Sequence, residues 1–288
     1  MFTAYFDDAG THDDTATEPG SEVVAAAGYV ALPSVWQAFE DEWNAFLARE
    51  QLPFYHTVDC VARVGHFKGW EHSECNRVHR EAVTIITSHK LVAVGYATPK
   101  AAFNEVYRRS LPDENNRIAR AAYQNSLVSA WRLLALYVNS WWLVSSPILN
   151  PIPREQVSIV VEDSPKTYAA TIGLYQQAMQ LPDEWQHLRS RFAGPPTFRP
   201  KLGFPQLQAA DVLAYEMAVS LRRLFMPGQL QKRRGSWDAL VSHAFEGSRS
   251  VGLPLVQFNA FGLSPSWSGG WQAYFLAAGA SEVPTSAP

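Results

Sequence analysis

Five acidic side chains stand at or near the ends of three apolar stretches. Asp7 and Asp8 close the run within Phe2 to Thr11, FTAYFDDAGT; Glu162 and Asp163 close Ser158 to Ser164, SIVVEDS; Asp211 lies inside Gln206 to Tyr215, QLQAADVLAY. Carboxylates carried on separate rigid elements can converge on a hard divalent cation, which takes oxygen ligands and keeps several waters. One or two such ions stabilise the attacking and leaving oxygens of a phosphoryl transfer. Without a cation the same acids repel one another, and one of them carries a raised pKa. These residues read as a metal site of Asp7, Asp163 and Asp211 for Mg²⁺ or Mn²⁺, with Asp8 and Glu162 as further catalytic candidates.

Each acid also has a plainer reading. Asp7 and Asp8 suit a turn, Asp163 suits a cap before Ser164-Pro165, and Asp211 suits the positive end of a helix. Side chains alternate along a strand, so of Asp7 and Asp8 one points into a site and the other away, or acts as an outer ligand. Asp211 carries the most information, because it sits beside an apolar stripe, where a carboxylate is costly unless paired or liganded. The expectation is that the carboxyls of Asp7, Asp163 and Asp211 lie roughly 4 to 8 Å apart, a span one or two ions can bridge.

The elements that must carry these acids follow from periodicity. Phe2 to Asp8 and Glu22 to Leu32 read as strands. Ser34 is expected to cap a helix to about Arg49, with Trp36, Phe39, Trp43 and Phe46 turned inward. Phe54 to Trp70 reads as irregular, Ser73 to about His89 as a helix, Leu91 to Thr98 as a strand and Ala101 to Ser110 as a short helix. Asn115 to about Leu143 reads as a long helix, ended by Pro147, Pro151 and Pro153. Gln156 to Val161 is a buried strand, Ser164 and Pro165 open a helix, and His187 to Phe192 reads as a strand. Gln206 to about Phe225 is the clearest helix, with Leu207, Ala210, Ala214, Met217, Leu221 and Leu224 repeating at three and four. Alternating strands and helices give an α/β or α+β layer structure.

Composition narrows the function. The hydrophobic content of 47% and charged content of 18% are those of a globular protein able to bury a large core. Two cysteines and an opening that runs straight into a strand suggest a reducing cytoplasm. The uncharged stretch Leu133 to Leu149 is short for a membrane span, contains Asn139, Ser140, Ser145 and Ser146, and reads as a buried helix end. No P-loop, no GxGxxG after a strand and no GxSxG elbow occurs, which argues against those kinds of nucleotide binding and against serine hydrolysis.

Charge is unevenly spread around a net of −3. Residues 1 to 60 hold eleven Asp or Glu and one basic residue, Arg49, whereas residues 186 to 234 hold nine Lys or Arg. An acidic end for cations and a basic end for phosphates would suit a nuclease. The candidate phosphate-binding residues are Arg199, Lys201, Arg222, Arg223, Lys232, Arg233 and Arg234, together with Arg189 and Arg191. His56, Asp59, Cys60, His66, His72, Cys75 and His79 crowd one stretch, but their spacing matches no zinc pattern. His56 or His12 near the carboxylates would instead serve as a proton carrier.

The stretches YFDDAGTH, FYHTVDC with HFKGW, VVEDS and QLQAADVLAY, in that order, resemble the bacterial and phage "domain of unknown function 3800" family. That family usually opens with Asp-Glu-Ser-Gly, where this chain has Asp7-Asp8-Ala9-Gly10 and so loses a hydroxyl at Ala9. Its late signature, Leu-Gln-x-Ala-Asp, matches Leu207-Gln208-Ala209-Ala210-Asp211, and the resemblance runs from residue 3 to about 225. It implies a ribonuclease H-like fold: a mixed central sheet flanked by helices, with helical insertions. The expected organisation is one such domain over residues 1–274, and the small, Pro-rich composition of residues 275–288 reads as a flexible tail. On that pattern the first-strand acid is Asp7, the Asp-Ser closing the fourth strand is Asp163-Ser164, and the final-helix acid is Asp211. The family pattern's fourth acid, a Glu on the first helix, has no clean counterpart; Asp8, Asp59 and Glu162 are the alternatives. The implied activity is a Mg²⁺- or Mn²⁺-dependent nuclease acting on RNA or DNA, in phage defence or mobile-element biology. The competing expectation is a non-catalytic binding or sensor module of a defence system. Expected partners are nucleic acid and either a second copy or a defence-system protein, with no membrane.

Overall fold

The computed structural model describes residues 1–10, 21–101, 103, 118–145, 156–180, 186–225, 235–240 and 256–258. In chain order these form β1 (Phe2–Ala9), β2 (Val23–Ala31), α1 (Pro33–Arg49), α2 (Thr57–Ala62), a single 3-10 turn (Gly65–Phe67), α3 (His72–Ser88), β3 (Val92–Pro99), α4 (Ile118–Ser145), β4 (Val157–Glu162), α5 (Tyr168–Met179), α6 (Gln186–Arg189), β5 (Thr197–Arg199), α7 (Pro205–Phe225) and β6 (Val256–Phe258). The architecture is α/β. A mixed sheet has the order β5-β4-β1-β2-β3-β6. β1, β2 and β3 pair antiparallel as neighbours, while β4 lies parallel beside β1 and β5 parallel beside β4.

Strand alternation feeds two cores, one on each side of the sheet. Phe2, Ala4 and Phe6 of β1 join Val157, Ile159 and Val161 of β4 beneath α4, with Tyr123, Leu127, Trp131 and Leu134. On the other side, Ala25, Ala27 and Tyr29 of β2 meet α7 through Leu213, Ala214 and Met217, with Trp36, Phe39, Trp43 and Phe46 of α1 beside them. The small residues let the α7 backbone come close to the sheet, and at Gly95 an added Cβ would lie 2.5 Å from Met217 Cε. Among the described residues, no helix is long and apolar enough to cross a membrane.

Several local expectations change. Ser34 is not a cap: Pro33 occupies the first turn of α1 behind an extended Leu32, with no side-chain cap, because proline's fixed φ starts the helix by itself. Ser164-Pro165 form a turn in which the Ser164 carbonyl accepts from the Thr167 and Tyr168 N–H groups, so α5 begins three residues later than the proline suggested. Residues 187–192 are not a strand: α6 takes the first part, leaving Phe192 to bridge Val157. The stretch expected to be irregular, Phe54 to Trp70, contains α2. β5, three residues on the sheet edge, was not anticipated. Most of the expected helix at 101–110 and the tail at 275–288 lie outside the described residues.

Gly28 and Gly173 give opposite tests of this packing. A Cβ at Gly28 would lie 1.8 Å from the Tyr5 carbonyl, whereas at Gly173, within α5, nothing lies within 4 Å. Gly28→Ala is expected to cost about 1–3 kcal/mol by forcing β1 away from β2. Gly173→Ala should stabilise by about 0.4–1 kcal/mol by restricting the unfolded chain. Urea-denaturation midpoints check both signs.

Candidate metal centre

The register of β1 and β4 selects the acids. Phe6 pairs with Val161, so the next residues, Asp7 and Glu162, fall side by side. Phe6 and Val161 face the α4 side, so strand alternation turns Asp7 and Glu162 towards α7. Asp7 is buried and Glu162 half-buried. Single ligand atoms of Asp7, Asp8 and Glu162 lie within 4.8 Å of one another, the one such group of metal-capable side chains among the described residues. Asp8 keeps contact with Asp7 through its own N–H, which donates to Asp7 Oδ1 at 2.8 Å. Asp211 reaches the same place from the second turn of α7.

A lysine stands among these acids. Lys201 Nζ is 2.9 Å from Asp7 Oδ2, 2.9 Å from Asp211 Oδ1 and 3.2 Å from Glu162 Oε1. Asp7, Glu162 and Asp211 therefore meet around one ammonium. Asp163, expected to supply the acid from this strand, is exposed, and its N–H continues the sheet by donating to the Arg199 carbonyl. The acid that contacts Lys201 from this strand is Glu162. Lys201, grouped by charge with the phosphate-binding cations, is turned into the acid cluster, with only 10% of its side chain exposed.

His56 sits at the mouth of α2. Its Nδ1 is 3.2 Å from Asp59 Oδ1 and its Nε2 is 3.7 Å from Asp211 Oδ1, so the ring bridges a half-exposed acid and a buried one. The Thr57 N–H, at the start of α2, donates to Asp211 Oδ2 at 2.7 Å. His12 lies outside the described residues.

Gln208 holds these pieces in place. Its Oε1 accepts from Trp43 Nε1 at 2.9 Å and from the Tyr55 N–H at 2.8 Å, while its Nε2 donates to the Lys201 carbonyl at 2.9 Å. One buried amide thus ties α1, the segment leading to His56 and the Lys201 turn to α7. Sequence reasoning passed over Gln208 because it lies next to the apolar stripe. The available signal was a buried-side amide three residues before Asp211, one turn below it on the same face.

The charges divide the acids. Burial dominates at Asp7 and lifts it well above the usual carboxylate range; the Lys201 ammonium opposes this, and the charges of Glu162 and Asp211 add to it. At Asp211 burial also pushes upward, but Lys201, His56 and the Thr57 N–H outweigh it and hold this acid below its ordinary value. Lys201 loses by burial and gains more from Asp211, Asp7 and Glu162, so its ammonium is held charged.

The donor set fits a hard cation: all three close ligands are carboxylates, two of them half-buried. The histidine- and cysteine-rich stretch does not gather into a competing site. The Cys60 thiol donates to the Cys75 carbonyl at 3.5 Å, and both cysteines are buried and outside any disulfide. His79 lies 2.7 Å from Tyr55 Oη and 2.9 Å from Glu216 Oε1, and His66 packs edge-on against Phe54. Of the basic residues, Arg199 is exposed over the Phe204 ring, and Arg222 lies 3.7 Å from Glu22. Arg222 and Arg223 lie roughly 16 Å along α7 from Asp211, by helical rise. Lys232, Arg233 and Arg234 are outside the described residues. No protein-family model and no curated protein matches the chain.

Gln208→Leu should cost on the order of 3 kcal/mol, because the Trp43 indole, the Tyr55 N–H and the Lys201 carbonyl all lose a buried partner. A denaturant midpoint close to that of the native chain would contradict the role given to this amide.

Asp7 yields a pH test. Its folded pKa is raised, so the folded state keeps its proton more readily than the unfolded chain. Its charged form therefore costs stability as pH rises through the raised value, and the cost is absent in acid. In chelator, Asp7→Asn should melt above the native chain at alkaline pH, with the gap closing on acidification. Asp211, held low, contributes in the opposite sense: its stabilisation is present above the unfolded value and lost as pH falls through the folded one. Melting curves of Asp7→Asn and Asp211→Asn across pH separate the two.

Proposed function

We propose that the chain is a Mg²⁺- or Mn²⁺-dependent nuclease that hydrolyses phosphodiester bonds in RNA or DNA. The observation that carries this reading is the meeting of Asp7, Glu162 and Asp211 at one cation. These acids come from the first strand, the end of the fourth strand and a late long helix, the positions of the ribonuclease H pattern, with Glu162 in the place expected of Asp163.

Asp7, Asp8 and Glu162 would hold the ion, with Asp211 beside them. A divalent ion held there supplies Lewis acidity toward a phosphoryl oxygen and a water made more acidic. The protein's own contribution centres on His56. Asp59 at Nδ1 orients the ring, and Nε2 faces the acid cluster, where it can take a proton from an attacking water or return one to a leaving oxygen. Asp211 is anchored by the Thr57 N–H, so the ring and the acids are held in one rigid unit. Arg199, exposed at the end of β5, which lies beside the strand that ends in Glu162, supplies a cation for a phosphate backbone.

One observation favours a second reading, a non-catalytic binding or sensor module: the acids are already satisfied by Lys201. Incubation of native chain, Asp211→Asn and His56→Ala with RNA, DNA and hybrid substrates in Mg²⁺, Mn²⁺ or chelator distinguishes the two. The nuclease reading expects divalent-dependent cleavage that disappears in Asp211→Asn and falls about a hundredfold to ten-thousandfold in His56→Ala. Nucleic-acid binding without cleavage by the native chain in either metal would favour the module.

A further inference from the structure

Lys201 and the candidate metal ligands draw on the same oxygens. The ammonium contacts Asp7, Glu162 and Asp211, and the group able to hold an ion is Asp7, Asp8 and Glu162. Asp7 and Glu162 belong to both sets. A divalent ion and an ammonium sharing two carboxylates would stand within a few ångströms of each other, where like charges in a poorly hydrated site repel strongly.

The main chain of Lys201 is fastened independently of the ion pairs that its side chain makes with the acids. Its carbonyl accepts from Gln208 Nε2 at 2.9 Å and from the Phe204 N–H at 3.1 Å, and the turn between is completed by Gly203 at φ +79°. Leu202 beside it is 59% exposed, so the turn borders solvent. The long, flexible lysine stem can leave the acids for water by rotamer changes alone.

We infer that Lys201 is a resident counter-cation that neutralises the acid cluster and that a divalent ion must displace in order to bind. The inference rests on the metal reading above and adds a regulatory consequence to it. The cluster is stable without metal because it carries its own cation, and metal affinity is set by the competition between the two. Metal entry also frees an ammonium at the rim of the site, within side-chain reach of the bound ion.

Calorimetric titration of Mn²⁺ into native chain, Lys201→Met and Lys201→Arg tests this. Removing the competing charge should tighten Mn²⁺ binding about tenfold or more in Lys201→Met, a coupling of ordinary allosteric size. Lys201→Arg, which keeps a cation, should stay near the native value. Measurable binding with equal affinity in native chain and Lys201→Met overturns the displacement inference and leaves the metal site standing. No Mn²⁺ binding to any of the three overturns both.

Should Lys201→Met fail to fold without its counter-charge, the native chain gives an independent answer. Acylation of Lys201 by an amine-reactive reagent, read by peptide mass spectrometry, should be slow in chelator and rise at saturating Mg²⁺. Other lysines, such as the exposed Lys68 and Lys90, serve as internal controls. Mg²⁺ binding by calorimetry with unchanged Lys201 protection would refute the displacement.

Discussion

The buried polar residues of α7 are the constraint on which the helical layer over this side of the sheet depends. A helix buried this deeply would ordinarily be apolar all round, yet Gln206, Gln208, Asp211 and Glu216 are all buried along it. Each is tied to a different part of the chain: Gln206 to Glu40 in α1, Gln208 to Trp43 and Tyr55, Asp211 to the start of α2, and Glu216 to His79 in α3. Apolar packing alone would allow α1, α2 and α3 to slide over α7. Directional hydrogen bonds, costly to leave unmade in a dry interior, select one arrangement. The acid site is one part of this network, and its residues are hydrogen-bonded to the helical layer on several sides.

Much of the architecture was legible because the strands and the α7 stripe obey simple periods. β1, β2, β3, β4 and α7 run nearly where their patterns placed them. Asp7 and Asp211 stood out for a physical reason, an acid at the edge of an apolar run, and His56 as a titratable group in the histidine- and cysteine-rich stretch. The choice between Glu162 and Asp163 could not be read, because Ser158 to Val161 offers too little polar contrast to show which parity faces α7. The partner strand supplies that answer through the register of Phe6 with Val161, which is a long-range fact.

Lys201 was misplaced for a related reason. Net charge along a sequence counts a lysine as surface, and in most proteins that is where lysines lie. Its destination is decided by the turn at Gly203 and by the Gln208 amide that holds its carbonyl. Neither is visible until the helix and the loop are seen together. The displaced helix starts have the same origin: at Ser34 and at Ser164 the local preference was real, but proline geometry at one and turn hydrogen bonds at the other decided where the helix began.

The central strand pair has a consequence for how the chain is born. β1 leaves the ribosome first, but its parallel partner β4 begins at Val157, and the helix bearing Asp211 follows later still. Parallel pairing across such a separation is slow to nucleate, because the loop entropy must be met before the contact rewards it. Until Lys201 and α7 emerge, Asp7 has neither its counter-ion nor its cover. The nascent chain therefore carries Asp7 on an unfinished sheet, and the ordered cluster comes into being only once α7 has been made. A chain truncated before α7 would lack Asp211 and the Gln208 amide that holds the Lys201 turn.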